Sequence, residues 1–269
     1  MTTAQTPGVG ELLRAWRQRR NLSQLELSLE SAISTRHLSF VETGRARPSR
    51  EMVLHLAERL EVPLRERNSL LLAAGFAPLY GERPLNDVDM TPVREALDRF
   101  LGAHEPYPAV VVDGRWNMLG ANGALRLLLA GVAPHLLGPP ANVLRVALHP
   151  EGMAPRIANF AQWSSHLLHR LRRSAAVTAD PELEALYAEL RTYPGVESDS
   201  SGDGASGAEI VLPLRLRAGD EELTLLSTIS TFGTATDVTL AELSVEAFYP
   251  ADAQTASALS SAAGLSDTA

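Results

Sequence analysis

The chain has 269 residues, of which 45% are hydrophobic and 21% are charged, a composition typical of a soluble protein that buries a core. This length suits two domains, and the absence of cysteine excludes disulfides and thiolate metal sites. The first ten residues, MTTAQTPGVG, contain neither a basic region nor an apolar segment, and no apolar run is long enough to span a bilayer. We therefore expect a cytoplasmic protein with no signal peptide and no membrane partner.

Charge is distributed unevenly along the chain, whose net charge is −8. Residues 1–80 contain 11 arginines against 8 acidic residues, whereas residues 81–269 contain 13 arginines against 24 acidic residues. The net charge is therefore +3 in the first part and −11 in the second. Such asymmetry is typical of a protein in which one part binds nucleic acid, and the acidic part should weaken non-specific association with DNA.

The first 76 residues are predicted to form five short helices. Residues 8–20 have apolar side chains at helical spacing, which predicts a helix with one buried face. Four further helices are delimited by residues that cap helix starts or end helices. These residues are Ser23, Ser34, Gly44, Ser49, Pro63 and Gly75.

The second and third of these helices, separated by a short turn, are predicted to form a helix-turn-helix. The second helix of such a pair can lie in the DNA major groove. Leu38 and Val41 are predicted to face the core, and Arg17 and Glu42 to form a buried ion pair that fixes two helices. The predicted DNA-binding residues are Gln24, Ser34, Thr35, Arg36, Ser39, Phe40, Arg45, Arg47 and Ser49.

Different roles are expected for these residues. Arg36 suits bidentate contact with guanine, and Phe40 suits contact with a thymine methyl group unless its ring packs inward. Gln24 and the flank that contains Arg45, Arg47 and Ser49 lie where phosphates would pass. The alternative is a plain helical bundle with solvated arginines, which the coincidence of turn, caps and basic flank disfavours.

The sequence predicts four regions. The helix-turn-helix domain covers residues 8–76, a Pro- and Gly-marked linker covers 77–91, and a second domain covers 92–250. Within the second domain, the low-complexity segment 195–208 is expected to be a mobile loop. The Ala- and Ser-rich residues 251–269 are expected to form a disordered tail.

The second domain is predicted to order its elements as strand-strand, helices, strand-strand-strand. That order suits a five-stranded antiparallel sheet with its helices on one face and a ligand cavity between them. The predicted strands are 109–112, 116–119, 209–216, 222–231 and 238–248. The predicted helices are 92–101, 124–129, 142–148, 154–173 and 181–190.

The long helix 154–173 is the predicted roof of this cavity. Its inner stripe is apolar, and three flanking residues, Arg156, Asn159 and Trp163, suit a carboxylate head and an acyl chain. A surface or packing role is an equally good interpretation of those three, since cavities are mostly apolar. The predicted ligand-binding residues are Arg156, Asn159, Phe160, Trp163 and Leu167.

No metal, cofactor or catalytic site is predicted. His166 and His169 are three residues apart and His149 is nearby, but no carboxylate accompanies them at ligand spacing. The sequence has no nucleophile elbow, phosphate-binding glycine loop or paired carboxylates. We therefore expect that the protein is not an enzyme.

Several stretches resemble a known family. Residues 8–62 resemble Xre/Cro-like helix-turn-helix domains, and the string STRHLSFVETGRARPSREMVLHLAERLEVPLRERNSLLLAAGFAP resembles the MmyB-like bacterial transcription regulators. The segments YPAVVVDGRWNMLGAN and FGTATDVTLAELSVEAFYP resemble the start and end of their PAS-like ligand-binding domain. The resemblance implies an all-α five-helix domain followed by an α+β PAS-like domain, and it makes fatty-acid-like molecules candidate ligands.

Together these observations predict a sequence-specific, DNA-binding transcription regulator. It would bind double-stranded operator DNA as a homodimer, and a small apolar ligand, with a fatty acid as one candidate, would modulate that binding. In the alternative, the second domain serves only dimerisation or protein recruitment and binds no ligand. An enzyme fused to a DNA-binding domain is a third interpretation, for which the sequence offers no acid, base or nucleophile.

Overall fold

A computed structural model describes residues 7–196 and 210–264 of the chain. The chain divides into two compact units: the first runs to Glu82 and includes the short segments Ala176–Ala179 and Ala235–Val238, and the second contains the rest. The predicted fold class, an all-α five-helix domain followed by an α+β domain with a five-stranded antiparallel sheet, is confirmed. From residue 197 onwards, the segment predicted to be a mobile loop lies outside the described residues.

The first unit forms its helices where the capping residues predict them. The hydroxyl oxygens of Ser23, Ser34 and Ser49 each accept a hydrogen bond from the backbone N–H three residues later, at 3.1–3.2 Å. Gly44 and Gly75 follow helix ends with φ of 72° and 86°, a conformation that glycine adopts without strain. The helices are α1 (Val9–Arg19), α2 (Gln24–Glu30), α3 (Thr35–Glu42), α4 (Arg50–Arg59) and α5 (Leu64–Ala73).

One apolar core holds these five helices together. Its fully buried members come from every helix of the unit, so no helix can leave without exposing core surface. Helices α1 and α3 approach closely at Gly10, where an added Cβ would lie 2.2 Å from the carbonyl oxygen of Val41. The core includes Leu13, Trp16, Leu27, Leu38, Val41, Val53, Leu56, Leu60, Leu70 and Leu71.

The second unit is built on a five-stranded antiparallel sheet with the spatial order β2-β1-β5-β4-β3. Strand β5, the last in the chain, therefore lies in the middle of the sheet and pairs with both β1 and β4. The strands are β1 (Ala109–Val112), β2 (Met118–Ala121), β3 (Leu214–Ala218), β4 (Glu221–Thr231) and β5 (Ser244–Pro250).

Helices cover both faces of this sheet, which corrects the prediction that they collect on one face. The N-terminal helix of the unit packs against Ala109, Val111, Val245 and Ala247, and the helices that contribute to the larger apolar core pack on the opposite face. The helices are α6 (Thr91–Ala103), α7 (Leu125–Leu128), α8 (Val143–Leu148), α9 (Phe160–Thr178), α10 (Pro181–Leu190), α11 (Val238–Glu242) and α12 (Ala253–Ala262). None of the helices in the described part of the chain has the length and apolar character needed to cross a membrane.

The prediction of a disordered tail is wrong for residues 253–262, which form α12. Asp252 caps this helix by accepting a hydrogen bond from the N–H of Thr255 at 2.7 Å. The Thr255 hydroxyl in turn accepts one from the N–H of Thr224 on β4 at 3.0 Å, and Leu259 is buried in the core. Packing against the sheet therefore stabilises a helix that its composition alone would not.

Other element boundaries also differ from the prediction. Strand β2 covers residues 118–121 and not 116–119, and β3 begins at Leu214 and ends at Ala218, where the prediction was 209–216. The segment 238–248, predicted as one strand, is a short helix followed by β5. Val238 and Leu243 are both buried before strand pairing begins at Ser244. The predicted long helix begins at Phe160 and not at residue 154. Residues Ala154–Arg156 form a short 3-10 helix, and Ile157 then adopts an extended conformation and bridges to Leu216 of β3.

Candidate DNA-binding surface and ligand cavity

The turn between α2 and α3 is held by a direct contact between the two helices. The hydroxyls of Ser28 and Thr35 lie 2.9 Å apart, and Ala32 adopts a positive φ of 53° that reverses the chain. Ser34 then caps α3 through the N–H of His37. The predicted helix-turn-helix geometry is present, and Thr35 has a structural partner in addition to its predicted role at DNA.

A buried ion pair fixes α3 against α1, as predicted. Arg17 donates two hydrogen bonds to the carboxylate of Glu42, from Nε to Oε1 at 2.7 Å and from Nη2 to Oε2 at 2.9 Å. The two side chains are 10% and 1% exposed. Arg17 also donates to the carbonyl of Leu22 at 2.8 Å, so one guanidinium joins α1, α3 and the loop before α2.

Glu42 also accepts a hydrogen bond from the side-chain amide of Gln24 at 2.8 Å. Burial raises the pKa of Glu42, but the hydrogen bonds from Arg17 and Gln24 outweigh it and hold this pKa below its ordinary value. The carboxylate is therefore charged at neutral pH. Gln24 was predicted to contact phosphate, and the structure assigns its amide an internal partner because a buried carboxylate needs several donors.

The other predicted DNA-binding residues lie on or beside the outer face of α3. Arg36, Arg45 and Arg47 are exposed, whereas Ser39 and Phe40 are half-buried. The guanidinium of Arg36 lies 5.4 Å from the centre of the Phe40 ring, so these two side chains share one face and Phe40 does not enter the core. The hydroxyls of Ser34 and Ser49 cap α3 and α4.

A cavity lies in the second unit between the sheet and the helices that cover one of its faces. The space between its lining residues, together with the open solvent at its mouth, amounts to about 550 Å³. Fourteen of its fifteen lining residues are apolar, and the exception is Glu246. They are Val110, Met118, Leu125, Leu128, Leu129, Val143, Leu144, Val146, Ala147, Met153, Trp163, Leu167, Leu214, Glu246 and Phe248.

Trp163 and Leu167, two of the five predicted ligand-binding residues, line this cavity. They lie on consecutive turns of α9, which is the predicted roof. Phe160, one turn earlier, packs at the edge of the same core without lining the cavity. Of the predicted face of α9, the turns that carry Trp163 and Leu167 line the cavity, and the first turn does not.

Arg156 and Asn159, which were predicted to bind a ligand head group, are not among the residues that line the cavity. Arg156 donates hydrogen bonds to backbone carbonyls of Leu127, Leu128 and Ala130, at the end of α7. Asn159 donates to the carbonyl of Pro213 at 2.8 Å and accepts from the N–H of Arg215 at 3.1 Å. Both side chains complete backbone hydrogen bonding at places where a helix ends or a strand begins.

Glu246 also lines the cavity, and its sequence context did not predict this position. Glu246 is directly paired with Val110 across β5 and β1, and paired residues in an antiparallel sheet project from the same face. Its side chain is 8% exposed and accepts a hydrogen bond from Arg170 of α9 at 3.0 Å. Glu246 is buried because helices cover this face of the sheet.

The histidines noted in the sequence are distributed over two places. On α9, the Trp163 and His166 rings are tilted against each other with centres 5.6 Å apart; burial, with the nearby charges of Arg170 and His169, lowers the pKa of His166. His149 instead lies near His135 and Glu151, with possible metal-ligating atoms all within 4.8 Å of one another. Because the Nδ1 atom of His149 already accepts the N–H of Glu151 at 3.0 Å, this cluster is not a preformed site.

A five-helix domain with a helix-turn-helix, together with an apolar cavity in the second unit, defines a DNA-binding regulator with a ligand-binding domain. Comparison with protein-family models agrees: residues 13–67 match a helix-turn-helix model, and residues 93–262 match the model described as the MmyB-like transcription regulator ligand binding domain. The chain belongs to the MmyB-like transcription regulators. Its domains are those of a DNA-binding transcription regulator, and the family resemblance noted in the sequence is confirmed.

One solved structure similar to this chain is described as "Structure of an RNA-binding Light-Oxygen-Voltage Receptor". The identity is 14% and the TM-score 0.28, over 98% of this chain. The chain spans 65% of that protein's length. A likeness at this TM-score carries no argument about fold or function. No curated protein matches the chain significantly.

Proposed function

We propose that the protein binds operator DNA as a homodimer and that an acyl-chain effector in the second unit modulates this binding. The observation that carries the proposal is the almost wholly apolar cavity in a domain of the ligand-binding family, in the same chain as a helix-turn-helix. A cavity with this apolar lining suits a small hydrocarbon-rich molecule. A free fatty acid and its neutral derivatives are the candidate effectors.

At the DNA surface, α3 enters the major groove and Arg36 contacts a guanine. The Phe40 ring beneath Arg36 supports its guanidinium and lies next to the groove floor, where thymine methyl groups are found. Arg45, Arg47 and Ser49, at the loop before α4, contact phosphates. The remaining members of the contact set are Gln24, Ser34, Thr35 and Ser39.

These DNA roles are tested by fluorescence anisotropy on a duplex that the protein itself selects from random DNA. We expect Arg36→Ala to lose about 1–3 kcal/mol of binding free energy and to relax specificity at one base pair. Arg45→Ala should weaken binding to all sequences alike and reduce the salt slope by about 1. Arg59→Ala, an exposed arginine outside the contact set, is the charge-matched control and should behave as the unmodified protein.

Within the second unit, the acyl chain lies along Trp163 and Leu167 of α9 and against the apolar residues of β1 and α8. Native mass spectrometry of gently purified protein tests this, together with the thermal shift produced by added twelve-carbon amphiphiles. A bound species of lipid mass, or a rise in unfolding temperature, supports the proposal. If no lipid is bound and none of the acid, alcohol, amide and amine probes raises the unfolding temperature, the alternative is favoured. In that alternative, the second domain serves only dimerisation or protein recruitment.

Effector and operator are linked through the dimer. An effector can change operator affinity only if it binds the DNA-competent and DNA-incompetent states differently, and a coupling of about 1–3 kcal/mol is typical. In a two-fold dimer, the state that binds DNA places its recognition helices about one DNA turn apart, roughly 34–36 Å. Analytical ultracentrifugation, and operators with altered half-site spacing, test this part of the proposal.

A further inference from the structure

The charged wall residue of the cavity belongs to a buried ion pair. Glu246, in the central strand β5, projects from the same face as Val110 and Phe248, which also line the cavity. Arg170 of α9 donates from Nη1 to its Oε1 at 3.0 Å, and these side chains are 19% and 8% exposed for Arg170 and Glu246, respectively. The Arg170 guanidinium also lies 4.6 Å from the centre of the Trp116 ring.

Joining a helix to a sheet through a buried ion pair has a high free-energy cost. Removing two charges from water costs several kcal/mol per ion, and replacing a buried pair with apolar residues of similar volume is often neutral or stabilising. The other residues that line the cavity are apolar, so an apolar residue in place of Glu246 would continue the lining without interruption. Stability therefore does not account for this pair, and the position of Glu246 on the cavity wall, with Arg170 bonded to it, points to ligand recognition.

We propose that the Glu246–Arg170 pair binds the polar end of the effector and selects an uncharged, hydrogen-bonding head group, such as an amide or alcohol, over a carboxylate or an amine. The inference rests on the proposed function, because it assumes an acyl-chain ligand in this cavity. It names the chemistry of that ligand's head. Trp163 and Leu167 contact the hydrocarbon chain, and the ion pair contacts the head.

The selectivity follows from the net charge of the site. The pair itself is neutral, so a neutral head adds hydrogen bonds to a charged partner without burying a new net charge. A carboxylate head would compete with Glu246 for Arg170 and leave one net negative charge in an apolar cavity. An amine head would leave one net positive charge beside Arg170. Both charged heads incur the desolvation penalty of an uncompensated ion.

Altering one partner at a time should reverse the preference in opposite directions. Glu246→Gln leaves the Arg170 charge unpaired, so the site becomes cationic and prefers a carboxylate. Arg170→Gln leaves the Glu246 charge unpaired, so the site becomes anionic and prefers an amine. The double variant is neutral again and returns to neutral heads, and a structural role of the pair would produce none of these reversals.

The experiment uses the full chain and four probes with the same twelve-carbon chain: dodecanoic acid, dodecanol, dodecanamide and dodecylamine. Dissociation constants are measured at pH 7.5, below the critical micelle concentrations, by titration calorimetry. For the unmodified protein, the alcohol or amide should bind at least about tenfold more tightly than the acid and the amine. The acid should bind best to Glu246→Gln, and the amine best to Arg170→Gln, by a similar factor.

Glu222→Gln is the matched control, because Glu222 forms an exposed ion pair with Arg215 and does not line the cavity. This variant should keep the order of affinities found for the unmodified protein. If the unmodified protein prefers the acid, or all variants share one order, the inference is overturned while the proposed function stands. If the unmodified protein binds none of the four probes, the proposed acyl-chain effector itself is overturned. The order of probe affinities in the unmodified protein tests the inference by itself, so the test does not depend on whether each variant folds.

Discussion

Loss of the Glu42 carboxylate should open the helix-turn-helix. The substitution Glu42→Leu removes the acceptor of two hydrogen bonds from Arg17 and one from Gln24. It leaves the Arg17 guanidinium, on a side chain that is 10% exposed, without its counter-ion. The substitution therefore tests whether the pair holds α3, the predicted recognition helix, against α1.

The expected cost is large because one partner remains charged and buried. Breaking a buried ion pair from one side costs about 3–5 kcal/mol. Since about 1.4 kcal/mol corresponds to a factor of ten, the population of the opened first unit should rise by about 10²-fold or more. The double variant Arg17→Met with Glu42→Leu buries no charge, so it should recover most of the loss. It still lacks the hydrogen bond from Arg17 to the Leu22 carbonyl, worth about 0.5–1.5 kcal/mol.

Hydrogen exchange followed by mass spectrometry measures this opening in the full chain. Peptides from α1 and α3 report the first unit, and a peptide from β5 in the second unit is an internal control. We expect amide exchange in α1 and α3 to accelerate by about 10²-fold or more in Glu42→Leu and to return towards the original rate in the double variant. Exchange in β5 should not change.

Two results would refute this reasoning. Exchange in α3 that changes less than about threefold in Glu42→Leu would mean that the ion pair does not hold the helix. Equal acceleration in the single and double variants would mean that hydrogen-bond loss, and not an unpaired buried charge, causes the opening. A threefold change corresponds to only about 0.7 kcal/mol, well below the range for a buried pair.

Three further predictions follow from the same structure. Because the pKa of Glu42 is held below its unfolded value of 4.5, its stabilisation is present above pH 4.5 and is lost as pH falls through the folded pKa. Acid should therefore lower the protection factors of the α3 amides, taken relative to the intrinsic exchange rate at each pH, in the unmodified protein but not in Glu42→Leu. Gly10→Ala should destabilise the first unit by about 1–3 kcal/mol in urea unfolding because its Cβ would meet the α3 backbone at 2.2 Å, whereas Gly102→Ala in α6, with open space around it, should be neutral or stabilising by up to about 1 kcal/mol. Ala147→Phe should fill the cavity and weaken binding of the tightest twelve-carbon probe at least about tenfold by calorimetry, and Ala103→Phe, at an exposed site on α6, should not.

Local rules predicted the first unit well. Ser23, Ser34 and Ser49 act within three residues of their own position, so their capping roles are visible in the sequence and are present in the structure. The Arg17–Glu42 pair was also predicted, because two complementary charges sit on otherwise apolar helix faces that must meet. Helical spacing likewise identified Trp163 and Leu167 on the inner face of α9, although their role as ligand contacts stays a proposal.

Long-range pairing decided what local rules could not. Arg156 and Asn159 suit an anionic head group by type, but which acceptors they reach depends on where α7 ends and where β3 begins, 26 or more residues away. The C-terminal helix is polar and Ala-rich, and only its packing against β4 makes it stable. The residue pattern along one helix or strand does not show which other elements pack against it.

By itself, the sequence determined the two-domain division, the helix-turn-helix and the strand-rich second domain, because caps, periodicity and charge act within one element or between near neighbours. Only the tertiary structure decided that helices cover both faces of the sheet and that Glu246 lies in the wall of an apolar cavity beside Arg170. The physical reason is that burial of a polar side chain depends on elements distant in sequence. Its desolvation cost is offset only when one of those elements supplies a partner, as α9 supplies Arg170 to Glu246.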